Sequence, residues 1–167
     1  MRIDKNLFLY DPSVGKWERR TERERLANTE TRRQDLDASH LSRDFSATYN
    51  GLEKLGKVDA HKIDLKVKSG VETPYPAVRI WASAADGNLM KQQDFAESGK
   101  LMRTIYYPAW GKVFDKKKNG EVYYPTEIRI FDEVEKGNSS IVRITKVFLE
   151  ALDPNIFTKA WIESQSR

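Results

Sequence analysis

The stretch GNLMKQQDFAESGKLMRTIYY, residues 87–107, contains two runs in which apolar and aromatic residues mix with polar ones, separated by the polar segment around Ser98-Gly99. Runs of this kind on either side of a short glycine-containing segment read as two strands joined by a tight turn. Neither run brings together a nucleophile, a base or a set of metal ligands. The same turn chemistry recurs at Asn50-Gly51, Leu55-Gly56, Ser69-Gly70, Asp86-Gly87, Asn119-Gly120 and Lys136-Gly137. Turns at that spacing predict a meander of antiparallel strands.

Strand parity assigns the faces. In HKIDLKV, Ile63, Leu65 and Val67 alternate with Lys62, Asp64 and Lys66, so one side is buried and the other wet. Val78, Ile80 and Ala82 oppose Arg79 and Trp81, and Ile128 and Ile130 oppose Glu127, Arg129 and Phe131. In SSIVRITKVFLE both parities are apolar, which predicts a strand covered on both faces. Residues 16–43, KWERRTERERLANTETRRQDLDASHLSR, are dense in charge and predict a loop with one or two short helices, at Thr21–Leu26 and opening near Asp37 or Ser39. Near the end, Asp153 precedes a proline at a first helical position, with Phe157, Trp161 and Ile162 at helical spacing. A short C-terminal helix laying its aromatic side on the sheet is expected.

A chain of 167 residues supports one core of ordinary size. Its 29 basic and 25 acidic residues interleave, leaving a net charge of +4, so a nucleic-acid partner is not expected even though aromatic and basic residues share the strands. Zero cysteines exclude disulfides, thiol catalysis and thiolate metal sites. No run reaches the roughly 20 apolar residues of a membrane helix. The opening MRIDKNLFLYDPSVG has no apolar signal core and enters a strand almost at once, so the chain is expected to be an N-terminally truncated piece of an exported protein.

Chemistry is sparse. His40 and His61 are far apart, and the acidic group Asp132, Glu133 and Glu135 stands where a strand runs into a glycine turn, a usual place for solvated charge. No nucleotide-binding, nucleophile-elbow or zincin motif occurs. The expectation is a protein that is not an enzyme, with no cofactor and no metal.

PAVRIWASAADGNLMKQQDFAESGKLMRTIYY, then EVYYPTEIRIFDE, then SSIVRITKVFLEALDPNIFTKAWI resemble the outer membrane lipoprotein-sorting protein family of LolA-like fold. The shared pattern is a strand ending in Trp81, the Asp86-Gly87 turn, a charged strand, the Gly99 turn, a Tyr-rich strand, a YP strand and a C-terminal helix. The resemblance implies a mainly β fold: a strongly curved antiparallel sheet, an incomplete barrel, with few short helices including a C-terminal one. It implies one LolA-like domain over residues 1–167, lacking the export signal and first elements of the family, with 16–43 as an insertion. It further implies a carrier in the periplasm of a Gram-negative bacterium that binds acyl chains of a lipidated protein or another lipophilic ligand and passes them towards the outer membrane. An inner-membrane transporter and an outer-membrane acceptor would be its partners, and exposed sheet edges allow a homodimer.

From parity, the expected cavity lining is Ile63, Leu65 and Val67 from one strand and Val78 and Ile80 from the next. Leu89, Phe95, Leu101 and Ile105 join from the hairpin, and Ile128 and Ile130 from the YP strand. The alternative is a non-catalytic cell-envelope module, structural or interacting, whose core is filled by its own side chains.

Overall fold

The computed structural model describes residues 2–3, 6–20, 25, 29–32, 35 and 41–165. Strands β1 (Arg2–Ile3), β2 (Asn6–Asp11) and β3 (Lys16–Arg20) form a small antiparallel sheet. After the short helix α1 (Leu41–Asp44), seven strands follow in order: β4 (Phe45–Leu55), β5 (Val58–Val67), β6 (Ala77–Ser83), β7 (Leu89–Phe95), β8 (Leu101–Asp115), β9 (Gly120–Asp132) and β10 (Ser139–Arg143). Each pairs only with its sequence neighbours, so the sheet is an open meander with β4 and β10 at its edges. A 3₁₀ turn at Pro154–Phe157 and helix α2 (Lys159–Gln165) close the chain.

The mainly β, unclosed antiparallel fold expected from the sequence is the fold observed. Its curvature has a local cause. Register shifts interrupt the ladders at Tyr49/Leu52, Trp81/Ala82, Asp94/Phe95 and Tyr106/Ala109/Trp110, and an extra residue on one strand bends and twists it. Asn50-Gly51 belongs to this set. It does not make a turn: Gly51 takes a φ of 92° inside β4, and the strand resumes its pairing with β5 at Leu52. A left-handed glycine serves a bulge as well as a turn, and the long partner strand selects the bulge.

Three further expectations are corrected. The charged stretch beginning at Lys16 opens as a strand, because Pro12 to Gly15 form a turn in which Asp11 accepts hydrogen bonds from the backbone N–H and hydroxyl of Ser13. That turn returns Trp17 opposite Tyr10. The helix expected at Thr21–Leu26 and the opening near Asp37 or Ser39 lie outside the described residues, except for Arg25, which bridges to Arg32. SSIVRITKVFLE is not a strand buried on both sides: β10 is an edge strand ending at Arg143, and Ile141 and Phe148 are exposed. Helix α2 does not lay its aromatic side on the sheet: Phe157 and Trp161 are exposed, and the helix meets the small sheet through polar side chains. Its Glu163 accepts a 2.6 Å hydrogen bond from Trp17 Nε1, and Lys159 stands over the Phe8 and Trp17 rings. Asp153 caps the preceding 3₁₀ turn as its position before Pro154 predicts, accepting from the Asn155 N–H at 2.9 Å.

Residues paired across an antiparallel ladder point to the same side. Leu65, Val78, Asp94, Arg103 and Asp132 therefore lie on one face, together with Ile63, Ile80, Gln92, Ile105 and Ile130. We call this the isoleucine face. Trp81, Lys91, Tyr106 and Arg129 share the other, with Thr104 and Phe131. This is the aromatic face.

Candidate functional site

The isoleucine face is closed by the chain itself. One apolar cluster joins Leu65, Val78 and Tyr75, a second joins Ile105, Ile128 and Ile130. On the same face Arg103 on β8 is held by two carboxylates. Its Nε and Nη2 donate to Asp94 Oδ2 at 3.0 and 2.6 Å, and its Nη1 and Nη2 donate to the two oxygens of Asp35 at 2.9 Å each. Gln92 Nε2 donates to the remaining Asp94 oxygen at 2.7 Å. Asp94 and Arg103 are 0% and 2% exposed. Burial works against the guanidinium charge, yet Asp94 and Asp35 outweigh it and raise the Arg103 pKa. Burial pushes Asp94 upward, and Arg103 and Gln92 pull it back. A fork-to-carboxylate geometry of this kind keeps the group ionised as a unit at neutral pH.

Asp35 lies against this face, near Arg25 and residues 29–32. Around it, Arg25 pairs with Glu30 and Asp132 at 3.0 Å each, and the Glu30 N–H donates to Ser140 Oγ at 2.8 Å. Tyr75, from the β5–β6 connection, lies with its ring 4.8 Å from the Arg103 guanidinium carbon and 5.4 Å from that of Arg32. Its buried hydroxyl has no hydrogen-bond partner among the described residues. Burial raises the Tyr107 pKa beside this network. The arrangement holds Asp35 against this face.

Two cavities open beside Tyr106 and Phe131 of the aromatic face. A cavity of about 530 Å³ is lined by Leu55, Gly56, Met90, Tyr106, Tyr107, Pro108, Arg129 and Phe131. Leu55 and Gly56 form the tip of the β4–β5 hairpin, so the sheet curls far enough to carry that tip towards β8 and β9 across the two strands between them. A second cavity of about 460 Å³ takes Tyr106 and Phe131 as shared walls and continues over Thr104, Asp132, Glu133, Lys136 and Ser139. Tyr106 and Phe131 meet edge to face at 5.9 Å. They divide an apolar lobe from a polar one.

The polar lobe is committed to holding its own turn. Asp132 Oδ1 accepts the Val134 and Glu135 N–H groups at 2.7 and 2.8 Å, and Glu133 accepts from Thr104 Oγ1 at 2.5 Å. Two backbone donors keep the Asp132 carboxyl below the usual range although its burial acts the other way. His61 shares a 3.0 Å hydrogen bond with the Tyr49 hydroxyl on a half-buried strand, and His40 lies outside the described residues. Among the described residues no group of three or more His, Asp or Glu is placed to hold a metal ion. No helix among the described residues is long and apolar enough to cross a membrane.

Of the residues expected to line a cavity, Ile63, Leu65, Val67, Val78, Ile80, Ile105, Ile128 and Ile130 share the isoleucine face. Leu89 pairs with Ala82 beyond a register shift, and its carbonyl accepts from Trp110 Nε1 at 2.9 Å. Phe95 and Leu101 pair with each other, and Phe95 lies on the aromatic face beneath Arg79. Sequence reasoning missed Met90, Tyr106, Tyr107 and Phe131 as a group. Part of their signal was present: Trp81 and Phe131 fall on the parity opposite the aliphatic residues, where two large rings need cover.

A family model described as "Uncharacterized protein" matches residues 1–164. No curated protein sequence matches the chain. Among solved structures, a domain from Vibrio parahaemolyticus described as an outer membrane lipoprotein-sorting protein superposes with a TM-score of 0.78 at 15% identity. That match covers 95% of this chain and 66% of the other. A LolA superfamily protein from Nitrosomonas europaea gives 0.72 at 22% identity, covering 94% and 68%. A DUF1329 family protein from Desulfovibrio piger gives 0.78 at 12% identity, covering 93% and 63%. The chain thus spans about two thirds of the length of the structures it matches, and the fold it shares with them is LolA-like.

Proposed function

This chain belongs to the DUF1329-like family, and we propose that it is a non-catalytic carrier that holds the acyl chain of a lipidated protein or another lipophilic ligand. The observation that supports this reading is the apolar lobe of about 530 Å³ under the curled β4–β5 hairpin, a size within the range of about 300–1,000 Å³ typical of small-molecule pockets. Burying an acyl chain contributes ~0.8 kcal/mol per methylene. Affinity of that origin needs shape and apolar area and no reactive group, which suits a site where Leu55, Met90, Tyr107 and Pro108 supply the wall.

The setting that goes with this reading is the periplasm of a Gram-negative bacterium, with cargo moving from an inner-membrane transporter towards an outer-membrane acceptor. The description of the Vibrio parahaemolyticus domain as an outer membrane lipoprotein-sorting protein supports it. Release would come from a partner of higher affinity or from displacement of the hairpin. The site for cargo is the aromatic face, because Ile105 and Ile130 are 1% and 0% exposed under the chain's own cover. A fluorescent fatty-acyl probe is expected to bind saturably, and Phe131→Asp to weaken it by on the order of tenfold through a charge placed against the acyl chain. If the probe does not bind, the carrier reading falls. The self-filled isoleucine face then favours the second reading, an envelope module without a ligand.

A further inference from the structure

Lys91 on β7 occupies an unusual position beside the apolar lobe. Its ammonium stands 4.5 Å from the Trp81 ring centre and 5.7 Å from that of Tyr106, and Tyr106 is a wall of the lobe. Glu53, an acid whose charge it senses, is engaged elsewhere: it accepts from Trp81 Nε1 and from Lys62 Nζ, the latter at 3.0 Å. Among the described residues Lys91 has no ion-pair partner. Arg129 lines the lobe itself, and its Nε donates to Glu127 at 2.6 Å while Glu127 also takes Arg143 at 3.2 Å. One carboxylate therefore serves two guanidinium groups. Two cations and one shared acid flank an apolar cavity.

Position determines which end of a ligand would meet these charges. The polar lobe, beyond the Tyr106–Phe131 pair, carries the acids Asp132 and Glu133 and one cation, Lys136. An anion there would meet two carboxylates against the single ammonium of Lys136, while one at the Lys91 and Arg129 side would meet two cations, of which Lys91 stands over ring faces and senses Glu53 only at a distance. We propose that the apolar lobe takes a single-chain amphiphile with an anionic head, a carboxylate or a phosphate, whose tail packs on Met90, Tyr107 and Phe131 and whose head reaches Lys91 and Arg129. This rests on the carrier reading and assigns it a ligand class. It also predicts rejection of cationic amphiphiles, since the charges nearest the lobe are positive.

The test compares four ligands with one tail by equilibrium dialysis below their micellar concentrations: myristate, myristyl phosphate, myristyl alcohol and myristylamine. Myristate and myristyl phosphate are expected to bind on the order of tenfold more tightly than the alcohol or the amine at low salt, with the margin narrowing as salt is added. Tighter binding of one acid than the other identifies the head. Lys91→Gln is expected to collapse the margin between myristate and the alcohol, Arg129→Gln to reduce it, and Lys91→Glu to turn the preference towards the amine. Thermal unfolding of each variant verifies that it is folded. Equal binding of all four ligands, or a margin unaltered in both Lys91 variants, overturns the anionic head and leaves the carrier reading standing. Absence of binding by every ligand overturns both.

Discussion

Arg103 is a charge that no pattern of alternating strands would place on a buried face, and its two carboxylates explain how it stays there. Removing the guanidinium strands Asp94 and Asp35 together in a site where neither is hydrated. Breaking a buried ionic group from one side costs about 3–5 kcal/mol. Arg103→Met is therefore expected to lower unfolding stability by that amount in a urea titration, with Asp35→Asn costing less because Asp94 still pairs. A loss below about 1 kcal/mol for Arg103→Met would show that the segment carrying Asp35 is not held by this contact. The sequence announced Asp94 and Arg103 only as polar residues within strands. Asp35 could not be linked to them, because a contact across 68 residues leaves no local periodicity. By contrast Ile63, Leu65, Val78 and Ile80 were legible at once, since alternation and burial in a half-covered sheet are the same fact seen in sequence and in space.

At the scale of the element, the long β8–β9 hairpin holds a glycine that is not a turn. Gly111 lies opposite Tyr124, and a Cβ there would fall 2.9 Å from Tyr124 Cζ and 2.9 Å from Thr126 Cγ2. The tyrosine ring fills the space that glycine leaves. Gly111→Ala must displace the ring or the strand, and an overpacking loss of about 1–3 kcal/mol is expected by chemical denaturation. Gly120→Ala, where the nearest atom is 3.9 Å away and φ is ordinary, is expected to stay within about 0.5 kcal/mol of the parent. Equal effects of the two would remove the role given to Tyr124. Turn glycines were readable from sequence, but Gly51 and Gly111 show the limit of that signal. A glycine marks a backbone that needs freedom or closeness, and only the pairing partner tells which.

For the whole molecule, the curl of the sheet is what converts seven ordinary strands into a site. Ladder pairs such as Asp64 with Arg79 and cross-strand contacts such as Glu53 with Trp81 tie the early strands into that curve. The Glu53 carboxyl is held below its ordinary value near 4.5, first by the Trp81 N–H and then by Lys62. A depressed carboxylate contributes stability above its unfolded pKa and loses it as pH falls through the folded one. Burial raises Glu30, whose contribution has the opposite sign. The difference between two chains isolates one group. From about pH 5 to about pH 3 the parent is expected to lose stability more steeply than Glu53→Gln, as read from thermal midpoints at each pH. Parallel slopes would mean that Glu53 carries no linkage.

The curl was implied by the family resemblance, and strand parity could not supply it. Parity says which residues share a face. It does not say which face bends inward, and the lobe under Leu55 and Gly56 takes Tyr106, Arg129 and Phe131 from the face opposite the isoleucines.

Methionines report on both faces. The chain has three, Met1, Met90 and Met102; Met90 lines the apolar lobe, whereas Met102 packs against the cluster of Leu65, Tyr75 and Val78. With ¹³C-methyl-labelled methionine, titration with myristate is expected to shift the Met90 methyl resonance saturably and to leave that of Met102 in place. A shift of Met102 in place of Met90 would put the ligand beneath the isoleucine face and contradict the site described above.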